Sequence, residues 1–424
     1  MNRPYQLKPE YLKWKLSFLI CICFSFGAIA QTKVQSIQPG SWMLDEYLPI
    51  LKGRSVGIFA NQTSLVGSKH LVDTLIALKV NIRKIFAPEH GFRGESDAGE
   101  DINNQTDAHT GIPIISLYGN KTKPTRDDLK DIDVLIFDIQ DVGTRFYTYI
   151  SSLQRFLEGA LENDKPLVLL DRPNPNGQYV DGPVLDTPFR SFVGMQAIPL
   201  VYGMTIGEYA WMLTGEKLLQ GQTRDVYVTV QRRKSASSSL DLNHFGLYII
   251  PCKNYSHKSA YSLPVKPSPN LPNMQSIYLY PSICLFEGTT ISLGRGTDKP
   301  FQQFGHPSFP NDLYHFTPES LPGAKSPPLM GQICYGYDLS RINIGKEVNR
   351  RLVLKWLIEA YRLYPDKKTF FLSSNFFNKL AGNNTLMQQI KEGKSEAEIR
   401  NSWKKGLTKF KLIRKKYLIY TDFE

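Results

Sequence analysis

Short apolar runs alternate with helix-length segments through the first half of this chain, and that alternation constrains the fold more than any other feature. Ser55 to Ala60, Ile82 to Ala87, Ile112 to Leu117, Asp133 to Asp138 and Lys165 to Asp171 read as buried strands. Between them, Leu71 to Val80 and Tyr149 to Leu161 place their apolar residues on one helical face. Strands separated by helices imply βαβ units and a parallel sheet. Right-handed crossovers then bring every strand's carboxyl end to one edge. With 42% hydrophobic and 21% charged residues, the chain is not collagen-like, coiled-coil or disordered. Its 424 residues suit two domains, or one large α/β body with an appendage.

Polar clusters stand immediately after four of these strands. Asn61 follows the first, and Pro88-Glu89-His90-Gly91-Phe92-Arg93-Gly94 follows the second. Asp138 and Asp141, with Arg145 and Tyr147 just beyond, follow another, and Asp171-Arg172-Pro173-Asn174 a fourth. Tyr118 ends the run near Leu117. Ligands of open α/β sheets bind outside the carboxyl ends of strands, so this edge is the expected site. No G-x-G-x-x-G follows the first strand, and no dinucleotide or other cofactor is expected. The histidines show no H-x-x-x-H or H-x-H spacing and the cysteines no C-x-x-C, so no metal site is expected.

Each cluster carries a bland reading beside the chemical one. Glu89 suits a general acid, but it also suits an ion pair with Arg93 in a structural turn. Asp138 and Asp141 suit carboxylate chemistry, but equally helix capping with an Asp–Arg pair. Asn174 sits in a Pro- and Gly-rich stretch whose residues are also plain turn formers. Further along, Phe286-Glu287-Gly288 leads into Gly294-Arg295-Gly296, a polar loop in which Arg295 suits an anion clamp. Asn270 lies in the rigid Pro267-to-Pro272 segment. Thr205 and Glu208 have capping-box spacing at the head of a helix expected over 204–219. Helices are also expected over 345–363 and 395–410, a loop over 231–243, and a last strand over 415–421. Residues 264–281, with five prolines, read as loop.

The N-terminus has the form of an export signal. Lys13 and Lys15 precede an apolar stretch from Leu16 to Gly27, and Ala28-Ile29-Ala30 matches a cleavage site. The domain division expected is 1–30 as signal, 31–285 as catalytic domain and 286–424 as auxiliary domain. Export would place the protein in the periplasm or outside the cell, with no stable membrane insertion after cleavage. The net charge of +12 falls to +9 without the leader and suits an anionic partner, although export disfavours nucleic acid.

The ordered motifs PEHGFRG, FDIQDVGTRFYTYI, LDRPNP, DGPVLD, SFVG, PLVYGMTIGEYA, PSPNLP, CLFEGTTISLGRGTDKPF and FGHP together resemble the exo-β-N-acetylmuramidase (NamZ) family. The resemblance implies a Rossmann-like domain with a smaller α+β auxiliary domain and the active cleft between them. It implies hydrolysis of terminal, non-reducing N-acetylmuramic acid from peptidoglycan fragments, in cell-wall turnover or recycling, with Glu89 as the favoured acid. Glu287 is the first candidate for the second carboxyl, followed by Asp138 and Asp141. Carboxyl separations of about 5–5.5 Å for retention and 6.5–9.5 Å for inversion leave the stereochemistry open at this point. The remaining polar groups, Asn61, His90, Arg93, Tyr118, Asp141, Arg145, Tyr147, Arg172, Asn174, Asn270 and Arg295, are the expected substrate contacts. The competing expectation is a non-catalytic binder of cell-wall glycan.

Overall fold

The computed structural model describes residues 35–89, 91–93, 105–223, 225–230 and 244–424. The proposed leader, His90, Gly94 and the whole 231–243 loop lie outside them. Among the described residues, eight strands form the main sheet: β1 (Ser55–Ala60), β2 (Asn81–Ala87), β3 (Gln105–Thr106), β4 (Pro113–Ser116), β5 (Val134–Asp138), β6 (Leu167–Leu170), β7 (Tyr227–Val230) and β8 (Gly246–Ile250). Their order is β3-β4-β2-β1-β5-β6-β8-β7. Every pair is parallel except β3 with β4.

Period-two alternation explains how this sheet is buried on both faces. Phe59, Phe86, Leu135, Phe137, Leu167, Leu169 and Leu247 point to one side, where helices Tyr149–Glu162 and Ile206–Gly215 cover them. Val56, Ile58, Ile85, Val134, Ile136, Val168 and Leu170 point to the other, under helices Leu44–Leu51 and Leu71–Ala77. The rings of Phe59 and Phe137 stack at 4.8 Å, and Phe156 of the first helix meets Phe59 edge-on at 5.1 Å. The capping box at Thr205 forms as the spacing requires: Thr205 accepts from the Glu208 N–H, and Glu208 reaches back to the Thr205 N–H.

The chain steps from β1 to β2 and β4 on one side, then crosses to β5 on the other. Their carboxyl ends therefore flank the point where the strand order reverses, the place where such sheets bind ligands. Beyond the sheet the chain forms helix Met274–Ile283 and a separate antiparallel sheet. Its strands are β9 (Gln303–His306), β10 (Tyr314–Phe316) and β11 (Cys334–Asp338), ordered β9-β11-β10. Helices Lys355–Leu363, Phe376–Ala381, Thr385–Lys391 and Glu396–Lys415 complete this smaller part. One apolar cluster runs from Phe137 through Ile283 and Phe304 to Phe410 and ties it to the main sheet.

Three expectations are corrected. Gly246–Ile250 is a fully buried strand, which the sequence reading omitted. Residues 274–281 are helical despite Pro281: Asn273 caps the start, and Asn176 Nδ2 donates at 3.1 Å to the Ile277 carbonyl that the proline leaves without an N–H. Residues 415–421 are no strand: the helix runs to Lys415, and the N–H groups of Ile419 and Tyr420 go to Glu208 Oε1 instead of a ladder. Buried main-chain donors need a partner, and here a side chain supplies it.

Candidate active site

Glu89 lies two residues past the end of β2, partly buried and facing a cleft of about 810 Å³. Its Oε1 accepts from the Tyr118 hydroxyl at 2.9 Å and its Oε2 from Thr148 Oγ1 at 3.0 Å. Tyr118 follows β4, and Thr148 stands at the head of helix Tyr149–Glu162, so three sheet-edge connections fix one carboxyl. Hydroxyls both donate and accept, so these two partners suit the carboxyl in either protonation state.

The opposite wall comes from the C-terminal part. Glu287 sits in a 3₁₀ turn after helix Met274–Ile283. Arg295 grips its Oε1 with Nε at 3.0 Å and Nη2 at 2.5 Å, while its guanidinium lies 4.9 Å from the centre of the Phe301 ring. Burial works against the charge on Arg295, but the Glu287 carboxylate outweighs it and raises the guanidinium further. The other oxygen, Oε2, meets Cys284 Sγ at 3.8 Å. Phe146, Phe192, Tyr280 and Phe301 give the cleft aromatic walls, and Lys325 adds a cation from the 323–328 loop.

Two of the expected residues position these walls. Tyr147 lines the cleft and donates to the Pro267 carbonyl at 2.9 Å. Asn270 is buried and donates to the Gly323 carbonyl at 2.7 Å, holding the 323–328 loop against the proline-rich segment. Asn61 lies beneath the cleft, fully buried, and donates to the Tyr149 hydroxyl at 2.9 Å.

The other expected residues are not brought into the cleft wall. Asp138 and Arg172 are both buried and form a two-pronged pair at 2.5 and 2.8 Å. Asp141 is buried, accepts from Tyr202 and from the Gly143 N–H, and burial pushes its carboxyl up to about 6. Its Oδ1 has no partner among the described residues, so a proton there is accommodated. Asn174 packs so closely under Gly143 that a Cβ at that glycine, whose φ is +80°, would lie 2.2 Å from its Oδ1. Arg145 is fully buried and donates to the carbonyls of Pro183, Ile198 and Leu380; burial brings it down to about 9. Arg93 pairs with Asp107 at 2.9 Å rather than with Glu89, and its guanidinium covers the Phe92 ring.

The sequence reading overlooked Thr148, Phe192 and the 323–328 loop. Thr148 had a local signal, a hydroxyl at a helix start beside a strand-end cluster. The loop had none, because its approach to Pro269 and Asn270 is purely tertiary. Among the described residues, no three His, Cys, Asp or Glu side chains are grouped to hold a metal, and no helix is long and apolar enough to cross a membrane.

Comparison with known proteins places this geometry. The family model for exo-beta-N-acetylmuramidase NamZ, N-terminal, matches residues 56–275, and its C-terminal counterpart matches 278–420. The peptidoglycan beta-N-acetylmuramidase NamZ of Bacillus subtilis (strain 168) is 38% identical over 403 residues, covering 92% of each chain. The crystal structure of a DUF1343 family protein from Bacteroides fragilis NCTC 9343 is 44% identical, with a TM-score of 0.80 over 92% of this chain and 100% of that one. A second DUF1343 structure from the same organism is 28% identical, with a TM-score of 0.74 over 91% and 99%.

Proposed function

Since the chain belongs to the exo-β-N-acetylmuramidase NamZ family through both of its halves, we propose that it hydrolyses the terminal β-linked N-acetylmuramic acid at the non-reducing end of peptidoglycan fragments. The observation that carries the catalytic assignment is one cleft lined by two carboxyls, Glu89 held by hydroxyls and Glu287 held by a guanidinium.

Glycoside hydrolysis needs a carboxyl to protonate the leaving oxygen and a second group to act on the sugar's other face. Glu89 is the acid in this reading. Tyr118 and Thr148 orient it, and their hydroxyls follow the change of charge as its proton leaves. Glu287 is the second carboxyl. Arg295 holds its Oε1, so Oε2, which otherwise meets only the weak Cys284 thiol donor at 3.8 Å, is the oxygen assigned to engage water or the sugar. The alternative second group is the substrate's own acetamido oxygen, in which case Glu287 only orients Arg295. Muramic acid carries a lactyl carboxylate, and Arg295 and Lys325 supply positive charge to the cleft. Aromatic walls at Tyr118, Phe192 and Phe301 match the apolar faces of pyranose rings. In this reading Asp138, Asp141, Asn61, Arg145, Arg172 and Asn174 support the cleft from below.

Export to the periplasm or beyond belongs to the same reading. It rests on the basic, apolar and A-x-A pattern of residues 13–30 and suits a polymer that lies outside the cytoplasm. The experiment is mass-spectrometric detection of free N-acetylmuramic acid released by the purified protein from peptidoglycan fragments of defined ends. Release from the non-reducing end supports the reading. Saturable binding with no product would return the protein to a glycan-binding role.

A further inference from the structure

Beside the cleft lies a second groove, of about 490 Å³, that the chemistry above does not use. Phe192 walls both spaces. Its ring meets Tyr118 edge to face at 6.4 Å, and Tyr118 is the residue that donates to Glu89. The groove therefore adjoins, through Phe192, the wall that carries Tyr118 and its bond to Glu89, and a leaving group departs past the acid that protonates it.

The groove is built from polar groups. Gln154, Glu158 and Gln196 line it and are at most 5% exposed. They form a chain: Gln196 donates to Gln154 at 3.0 Å, Gln154 to Glu158 Oε1 at 2.9 Å, and Arg155 to Glu158 Oε2 at 2.8 Å. A network held this way is rigid before any ligand arrives. Among its lining residues, Arg155 and Ser191 each carry one buried polar atom, Nε and Oγ, with no hydrogen-bond partner among the described residues. At the rim, Arg190 is exposed, and its guanidinium makes no hydrogen bond or ion pair among the described residues.

We propose that this groove is the aglycone site of the muramidase and that Arg190 selects fragments whose leaving portion carries a carboxylate. The inference rests on the muramidase reading and extends it to substrate choice. Past the cleaved bond, a peptidoglycan fragment presents N-acetylglucosamine and then a further muramyl unit. That unit's carboxylate is either a free lactyl group or the end of an attached stem peptide. The amide-lined wall suits hydroxyl and acetamido groups, and a guanidinium fork matches a carboxylate.

The test compares kcat/KM on three fragments. They are the disaccharide N-acetylmuramyl-N-acetylglucosamine, the trisaccharide ending in a second N-acetylmuramic acid, and that trisaccharide bearing a stem peptide. Arg190→Glu lowers the trisaccharide-to-disaccharide ratio about tenfold, the worth of one charge-assisted contact. Arg190→Lys restores part of it. A fall confined to the peptide-bearing fragment assigns Arg190 to the stem, and a fall on the peptide-free trisaccharide assigns it to the lactyl group. An unchanged ratio on both, with an active wild type, overturns the aglycone assignment alone. A wild type that releases no muramic acid from any fragment overturns the muramidase reading, and the groove assignment with it.

Discussion

Two sets of carboxyls lie in and beneath one cleft, Glu287 on the C-terminal wall and the others at the sheet's strand ends, and they meet opposite fates. Glu89 and Glu287 face a cleft and are held by hydroxyls or a half-buried guanidinium. Asp138, Asp141 and Asp171 are sealed within the fold. Asp138 is spent on Arg172, and Asp171 accepts from Thr205, Gly207 and Tyr420. An acidic residue after a strand therefore announces position, not role. What separates the two sets is whether the neighbouring connections close over the carboxyl or leave a wall open. The sealed set gives the open set its rigidity, since the loops leaving β5 and β6 are bolted together through Asp138 and Arg172.

If that contrast holds, Glu89→Gln costs on the order of 10³-fold in kcat on natural glycan, within the range for general acids, and leaves the melting temperature near wild type. Steady-state kinetics with parallel thermal unfolding checks both halves. Asp138→Asn does the reverse. It leaves Arg172 buried beside a neutral partner and costs about 3–5 kcal/mol of stability, read by denaturant unfolding, while the folded fraction keeps its chemistry.

A pH series sharpens the sealed side. Burial raises the Asp141 carboxyl to about 6 in the folded state, above its ordinary value of 3.8. Between those values the native state binds more protons than the unfolded one. Its contribution is complete below about pH 4 and is lost as pH rises toward about 6, by roughly 3 kcal/mol at most. Asp141→Asn keeps the shape without the charge, and its stability should be the flatter of the two over that window. A smaller effect is expected at the cleft wall formed by the 323–328 loop. Asn270→Ala removes the bond to the Gly323 carbonyl and raises KM about fivefold, the scale of one ordinary hydrogen bond, with kcat little changed.

The sheet was legible because apolar runs and their periods are local properties. β1, β2, β4, β5 and β6 appear where the pattern put them, and the Thr205–Glu208 spacing became a real capping box. The run Phe245 to Ile250 carried the same signal and was passed over behind a serine-rich stretch. Glu89, Glu287, Tyr118, Tyr147 and Arg295 do share one cleft. The guanidinium groups were the hard part. Arg172 finds Asp138 across 34 residues, and Arg145 finds the Leu380 carbonyl across 235. Such partners are set by packing, and no spacing rule encodes them. A long flexible cation near a strand end thus carries less information than a short carboxyl.

The proton-donor role of Glu89 is tested most directly by varying the leaving group. A dinitrophenyl β-N-acetylmuraminide needs little protonation as it departs, whereas the natural disaccharide needs a full proton. Glu89→Gln should therefore keep near-wild-type glycosidic cleavage of the activated compound and lose on the order of 10³-fold on the disaccharide. Equal losses on both substrates would mean that Glu89 shapes the cleft without donating the proton.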